Sequence, residues 1–185
     1  MFCFSHLSDL HTTPVKPRAL SDLAGKRFFG WLSWQLRRRR AYRPEVLAAL
    51  IEDMRETAPD EVVVTGDLTN IALPDEFDAA REWLERIGRP ERVFVIPGNH
   101  DAYVSVDRAD SLDKWSAYMA SDADAPGAAD GFPSLRRRGL VAFVGVDTAQ
   151  PTPLFQAGAA SARSSAAGSS DGWWPSARRA CAASC

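Results

Sequence analysis

Apolar runs separated by turn residues divide the chain into alternating short strands and helices. Phe2 to Ser8 predicts a first strand. Residues 12–43 read as irregular and basic, broken by Pro14, Pro17, Gly25 and Gly30. Within them, Phe28, Phe29, Trp31, Leu32 and Trp34 predict a short amphipathic helix or a lid over a site mouth. From Pro44, the residues Val46, Leu47, Leu50, Ile51 and Met54 recur at helical spacing and predict one apolar face. Glu61 to Thr65 is short, β-branched and bounded by turn signals, the pattern of a buried strand. Pro74 opens another helix, with Phe77, Ala80, Leu84 and Ile87 on one side and Gly88 as its stop. Val93 to Ile96 predicts the next buried strand, 108–120 a helix, and Leu140 to Val146 a fourth strand ending at Asp147.

Strand, helix, strand, helix, strand is the order of a parallel α/β sheet, in which ligands bind beyond the carboxyl ends of the strands. Three polar clusters fall at those ends: Ser8-Asp9-Leu10-His11, Gly66-Asp67-Leu68-Thr69-Asn70 and Gly98-Asn99-His100-Asp101. Alone, Asp67 reads as a turn residue, Asp9 as a cap and Asn99-His100 as a loop. Together, in order and at strand ends, they make a ligand set for divalent metals. Two ions roughly 3.5–4 Å apart need an anionic bridge, and Asp67, on the central strand, is the candidate. Asp9 and His11 flank one residue, so extended backbone would put both on one side as ligands to one ion. Asn99 offers a neutral oxygen to the second ion. His100 is placed to protonate a leaving oxygen or stabilise charge, with Asp101 holding its ring in one tautomer. Mixed Asp, Asn and His ligation suits Mn, Fe, Zn or Co. His6 has the opposite parity and reads as a structural, hydrogen-bonded histidine.

The wording DxH, then GD, then GNHD resembles the calcineurin-like metallophosphoesterases over about residues 1–150. The stretches Ser5 to His11 and Pro97 to Asp101 look most like the bacterial branch, which includes cyclic-nucleotide and glycerophosphodiester phosphodiesterases. The resemblance implies an α/β/β/α sandwich, here with its second sheet incomplete. It also implies roles: Asp9 and His11 on the first metal, Asp67 bridging, Asn99 on the second metal, His100 in catalysis. The implied reaction is hydrolysis of a small-molecule phosphomonoester or phosphodiester by a hydroxide bridging two divalent ions. The family pattern continues with a lone His and a GHxH-type pair, whereas the last histidine of this chain is His100. A non-catalytic, truncated remnant binding at most one metal weakly is therefore one alternative. A DNA-repair-type nuclease of the same superfamily is another, which would predict a large capping region.

The 185 residues suit one domain, and 45% hydrophobic with 25% charged residues is ordinary for a globular protein. The net charge of −2 argues against a dedicated nucleic-acid binder, although its distribution is uneven. Residues 1–58 hold ten Lys/Arg against six Asp/Glu, and residues 59–155 nine against seventeen. Arg37 to Arg40 reads as a solvated helix face and Arg136 to Arg138 as a polar turn. Cys3, Cys181 and Cys185 have no disulfide or zinc spacing, and Cys3 reads as a small buried hydrophobe. Neither an export signal nor an apolar run of ~20 residues is visible, so the expected location is the cytoplasm, without a membrane partner. Residues 156–185 contain ten Ala and seven Ser but no Val, Ile, Leu, Met or Phe. The expected organisation is a domain over 1–155 followed by a tail that is disordered or translated out of frame after Phe155.

Overall fold

The structure, a computed structural model, describes residues 2–11, 14–125 and 131–153. Three parallel strands, β1 (Phe4–Leu7), β2 (Glu61–Thr65) and β3 (Val93–Ile96), form a sheet in the order β1-β2-β3. Leu7 lies beside Val64, and Val64 beside Val95. Parallel pairing requires crossovers. Helices α1 (Lys26–Leu36) and α2 (Pro44–Thr57) provide the first, and α3 (Pro74–Ile87) the second. Both α2 and α3 begin with proline, whose missing N–H costs nothing in the first turn. The lid-or-helix segment is thus a helix, running two residues further at each end than Phe28 to Trp34 suggests.

One face of the sheet, carrying Val62, Val64, Val93 and Val95, packs on Leu47, Ile51 and Met54 of α2 and Phe77, Ala80, Leu84 and Ile87 of α3. Each of these side chains larger than Ala80 contributes about 2 kcal/mol of burial. The buried stripe of α2 is narrower than its sequence predicted, because Val46 and Leu50 face solvent. The other face carries Phe4, Val63, Phe94 and Ile96 and meets an antiparallel hairpin of β4 (Ser134–Arg138) and β5 (Val141–Gly145). Phe143 sets its ring edge-on to Phe4 at 5.4 Å. Gly145 lies so close to Phe94 and Ile96 that a side chain there would collide with both. Among the described residues the layers are therefore helix, three-stranded sheet and two-stranded sheet, the α/β class expected.

Several elements differ from the sequence reading. The 108–120 segment is two 3₁₀ turns, Arg108–Asp110 and Leu112–Trp115, followed by the single-turn α4 (Ser116–Met119). Its anchor is Trp115, fully buried, whose Nε1 donates to the Phe77 carbonyl at 3.0 Å. Cys3 precedes β1 and is exposed rather than buried. Arg136 to Arg138 lie in a strand rather than a turn, because the side chains of Arg136 and Arg138 have a buried partner. Glu61 is fully buried. Its carboxylate meets Arg138 Nε at 2.8 Å and Arg136 Nη1 at 3.5 Å. Arg136 also donates to the carbonyls of Pro90 (2.6 Å), Val93 (3.0 Å) and Tyr118 (3.0 Å). This guanidinium fastens the hairpin to the sheet. Arg136→Met is expected to cost about 3 kcal/mol in urea unfolding, since a buried carboxylate and several carbonyls lose their donor. Arg138→Met, at a more exposed side chain, should cost less. The boundary at residue 155, the Ala/Ser-rich tail, Cys181 and Cys185 lie outside the described residues.

Candidate metal centre

The three strands end along one edge of the sheet, and the loops that follow carry the three polar clusters. Beyond the strands the backbone is not extended. Asp9, His11 and Asp67 have φ of 55°, 42° and 55°, in the left-handed region. Each such non-glycine residue costs roughly 1–2 kcal/mol and persists only where its surroundings enforce it. Two bonds beyond the sheet enforce it here: the Asp9 N–H donates to the Gly66 carbonyl (3.3 Å) and the His11 N–H to the Asp67 carbonyl (3.0 Å). Asp9 and His11 thus share a side because two loops are zipped together, not by strand parity. Gly66, with φ of 74°, lies against the backbone of Gly98, and Gly98 lies against Asp67. A Cβ at either position would meet main chain, so glycine is needed for this close approach.

Asp101 ties the same loops from behind. Its buried carboxylate accepts from the N–H groups of Asp67 (2.9 Å), Gly98 (2.9 Å) and Thr69 (2.9 Å), and from the Thr69 hydroxyl (3.1 Å). Burial pushes its pKa up to about 7, against the pull of those donors. Contrary to the expectation from sequence, it does not hold the His100 ring. The Asn70 carbonyl does, 2.6 Å from His100 Nδ1.

His11 is oriented the same way, with Nδ1 2.8 Å from the Thr69 carbonyl. A carbonyl only accepts, so both rings carry a proton on Nδ1. His11 Nε2 faces Asp9 Oδ1 at 3.9 Å and Asp67 Oδ2 at 3.8 Å. Burial first, and then the neighbouring His100, hold the His11 pKa below its ordinary 6.5, so the ring is neutral at pH 7. Asp67 Oδ1 accepts from the His100 N–H at 2.8 Å. Ligand atoms of His11, Asp67 and His100 all lie within 4.8 Å of one another. The neutral His11 imidazole, aimed at two carboxylates across just under 4 Å, suits an ion bound at ~2.0–2.2 Å to each. The donor set therefore fits a transition-type divalent ion. Asp9, 61% exposed and bonded to the Ser8 hydroxyl, stands on the solvent side of this cluster. Asn99 sits on the exposed rim between Gly98 and His100, and its side chain makes no hydrogen bond among the described residues.

Three contributors were not visible in the sequence reading. Arg38, in the 3₁₀ turn Arg38–Arg40, places Nη1 3.0 Å from His100 Nε2 and so is not part of a solvated face. Tyr42 packs on the His11 ring, centroids 4.8 Å apart. Glu76, fully buried, accepts from the N–H groups of Asn70 (2.7 Å), Ile71 (3.0 Å) and Leu73 (3.1 Å). It thereby fixes the turn whose carbonyls aim both histidines. The available signal was a glutamate at the third position of a helix opened by Pro74. A cavity of about 570 Å³ opens beside His11, lined also by Val15, Trp34, Arg39, Tyr42 and Trp83. His6 stays apart and bonds to the Thr65 hydroxyl at 2.7 Å.

The calcineurin-like phosphoesterase family model matches residues 4–177, and the chain belongs to that family. A probable cyclic nucleotide phosphodiesterase of a Synechococcus species is 33% identical over 54 residues, 29% of this chain and 20% of that protein. The glycerophosphodiester phosphodiesterase GpdQ of Enterobacter lignolyticus is 46% identical over 43 residues, 23% of this chain and 15% of that protein. The matched segments thus span a fifth or less of these curated relatives.

Proposed function

We propose that this protein hydrolyses small phosphodiesters with divalent metal ions held by Asp9, His11, Asp67 and Asn99. One ion would rest on Asp9, His11 and Asp67, and a second on Asp67 and Asn99, with Mn, Fe, Zn or Co as the candidates. The observation that carries the reading is the convergence of two ring-locked histidines on the Asp67 carboxylate, at the ligand-binding edge of a parallel sheet. Bound divalent ions supply a water acidic enough to attack at neutral pH, and positive charge against the phosphoryl oxygens.

The chain's own groups do the rest. Asp101 and Glu76 hold the loops that present the ligands. His100 can exchange a proton only at Nε2, because Nδ1 is committed to Asn70. Arg38, beside that nitrogen, offers N–H donors to a phosphoryl oxygen reaching the same place. The cavity beside His11 receives the organic part of the ester. The names of the two relatives, one for cyclic nucleotides and one for glycerophosphodiesters, support a small phosphodiester as substrate.

A second reading has one observation in its favour. The converging ligand atoms of His11, Asp67 and His100 are enough for a single ion. The test is metal content together with bis(p-nitrophenyl) phosphate hydrolysis in manganese. Two ions per chain with turnover are expected. A single weak ion without turnover would make the protein a metal-binding remnant, and no bound metal would overturn both readings.

A further inference from the structure

Helix α1 is apolar on both sides. Inward, Gly30 sits against Ile71 and Tyr103, and Trp31 and Trp34 pack on the small core of Val15, Leu23, Ile71 and Leu73. Outward, Phe28, Leu32 and Leu36 follow one another at four-residue spacing and form a single stripe. They are 45%, 40% and 73% exposed, and nearby Leu20 is 90% exposed. A surface helix normally turns a polar side to water, so this stripe needs an apolar neighbour.

The charge around it says which kind. Residues 12–43 contain nine Lys/Arg and one acidic residue, Asp22, in a chain whose net charge is −2. Arg37, Arg39 and Arg43, directly after the stripe, are exposed, and none of them forms an ion pair among the described residues. A second copy of the chain would bring the same cations against these, and like charges across an interface oppose association. An anionic lipid surface offers both complements at once: phosphates for the arginines and acyl chains for the stripe.

We infer that α1 and the arginines after it seat the protein on anionic membranes, lying in the interface. At 11 residues α1 is too short to cross a bilayer, and no helix among the described residues is long and apolar enough to do so. The same segment lines the cavity beside His11 through Trp34 and Arg39, so seating it brings that cavity to the lipid surface. The inference stands apart from the hydrolase reading, because binding is measured without turnover.

The test is co-sedimentation of the full chain with vesicles of phosphatidylcholine, with and without phosphatidylglycerol. Binding is expected to the mixed vesicles alone and to weaken with salt. Leu36→Glu and Phe28→Glu should each reduce it at least about tenfold. Arg37→Gln and Arg43→Gln should each reduce it about fivefold. Circular dichroism identifies any variant that has failed to fold, and the remaining variants then decide. Absence of binding, or equal binding to both vesicle types, overturns the inference. So does a vesicle-free dimer that Leu36→Glu dissociates, which would give the stripe to a second copy.

Discussion

Asp67→Asn is expected to abolish manganese-dependent phosphodiester hydrolysis while leaving the fold intact. The amide oxygen can still accept from the His100 N–H, so the loop that Asp67 closes keeps its bond. What disappears is the negative charge facing His11 Nε2 at 3.8 Å. Removing a residue that merely orients a ligand typically costs 10–100-fold in metal affinity, so losing the ligand itself should exceed about a hundredfold. Calorimetric titration with manganese and thermal unfolding of the same sample separate the two effects. Retained metal affinity with lost turnover would move Asp67 from holding the metal to some other step. Retained turnover would remove it from the centre.

Glu76→Ala is expected to be the most destabilising single change near the site. The side chain is fully buried and takes the N–H groups of Asn70, Ile71 and Leu73, along with the Asn70 side-chain amide at 3.1 Å. Each buried donor left without an acceptor costs about 1–3 kcal/mol. Relaxation and water entry recover part of this, so a loss of about 3–5 kcal/mol is expected in denaturant unfolding. Metal affinity should fall in parallel, because the Thr69 and Asn70 carbonyls aim His11 and His100. A variant that loses stability but keeps full metal affinity would show that the turn does not depend on Glu76 for its shape.

The sheet was legible because its signals are local. Val62 to Val64 and Val93 to Val95 are unbroken β-branched or aromatic runs, and Pro44 and Pro74 mark helix starts whatever lies elsewhere. The polar clusters were legible because strand ends gather residues that the chain keeps far apart. The features that local sequence does not encode depend on partners distant in the chain. Arg136 looks like surface until Glu61, 75 residues earlier, is seen to be buried beside it. The left-handed backbone at Asp9 and His11 arises from bonds to the Asp67 loop, which strand periodicity does not encode. Arg38 reaches His100 across 62 residues, out of a run whose composition says only that it is basic. Val46 and Leu50 fit the helical period of α2, yet that period does not set how wide a stripe the sheet covers.

Thr69 and Asn70 are adjacent in the chain, and each holds one imidazole. The two rings therefore cannot be re-aimed one at a time, since turning either carbonyl disturbs the peptide plane beside it. A cage with independently mounted walls adapts to whichever cation arrives. Here both imidazoles are mounted on one turn, itself held to the start of α3 by Glu76. In the proposed centre, selection among cations would then follow from main-chain rigidity, and loosening that turn should broaden the range of ions accepted before it weakens the hold on any one of them.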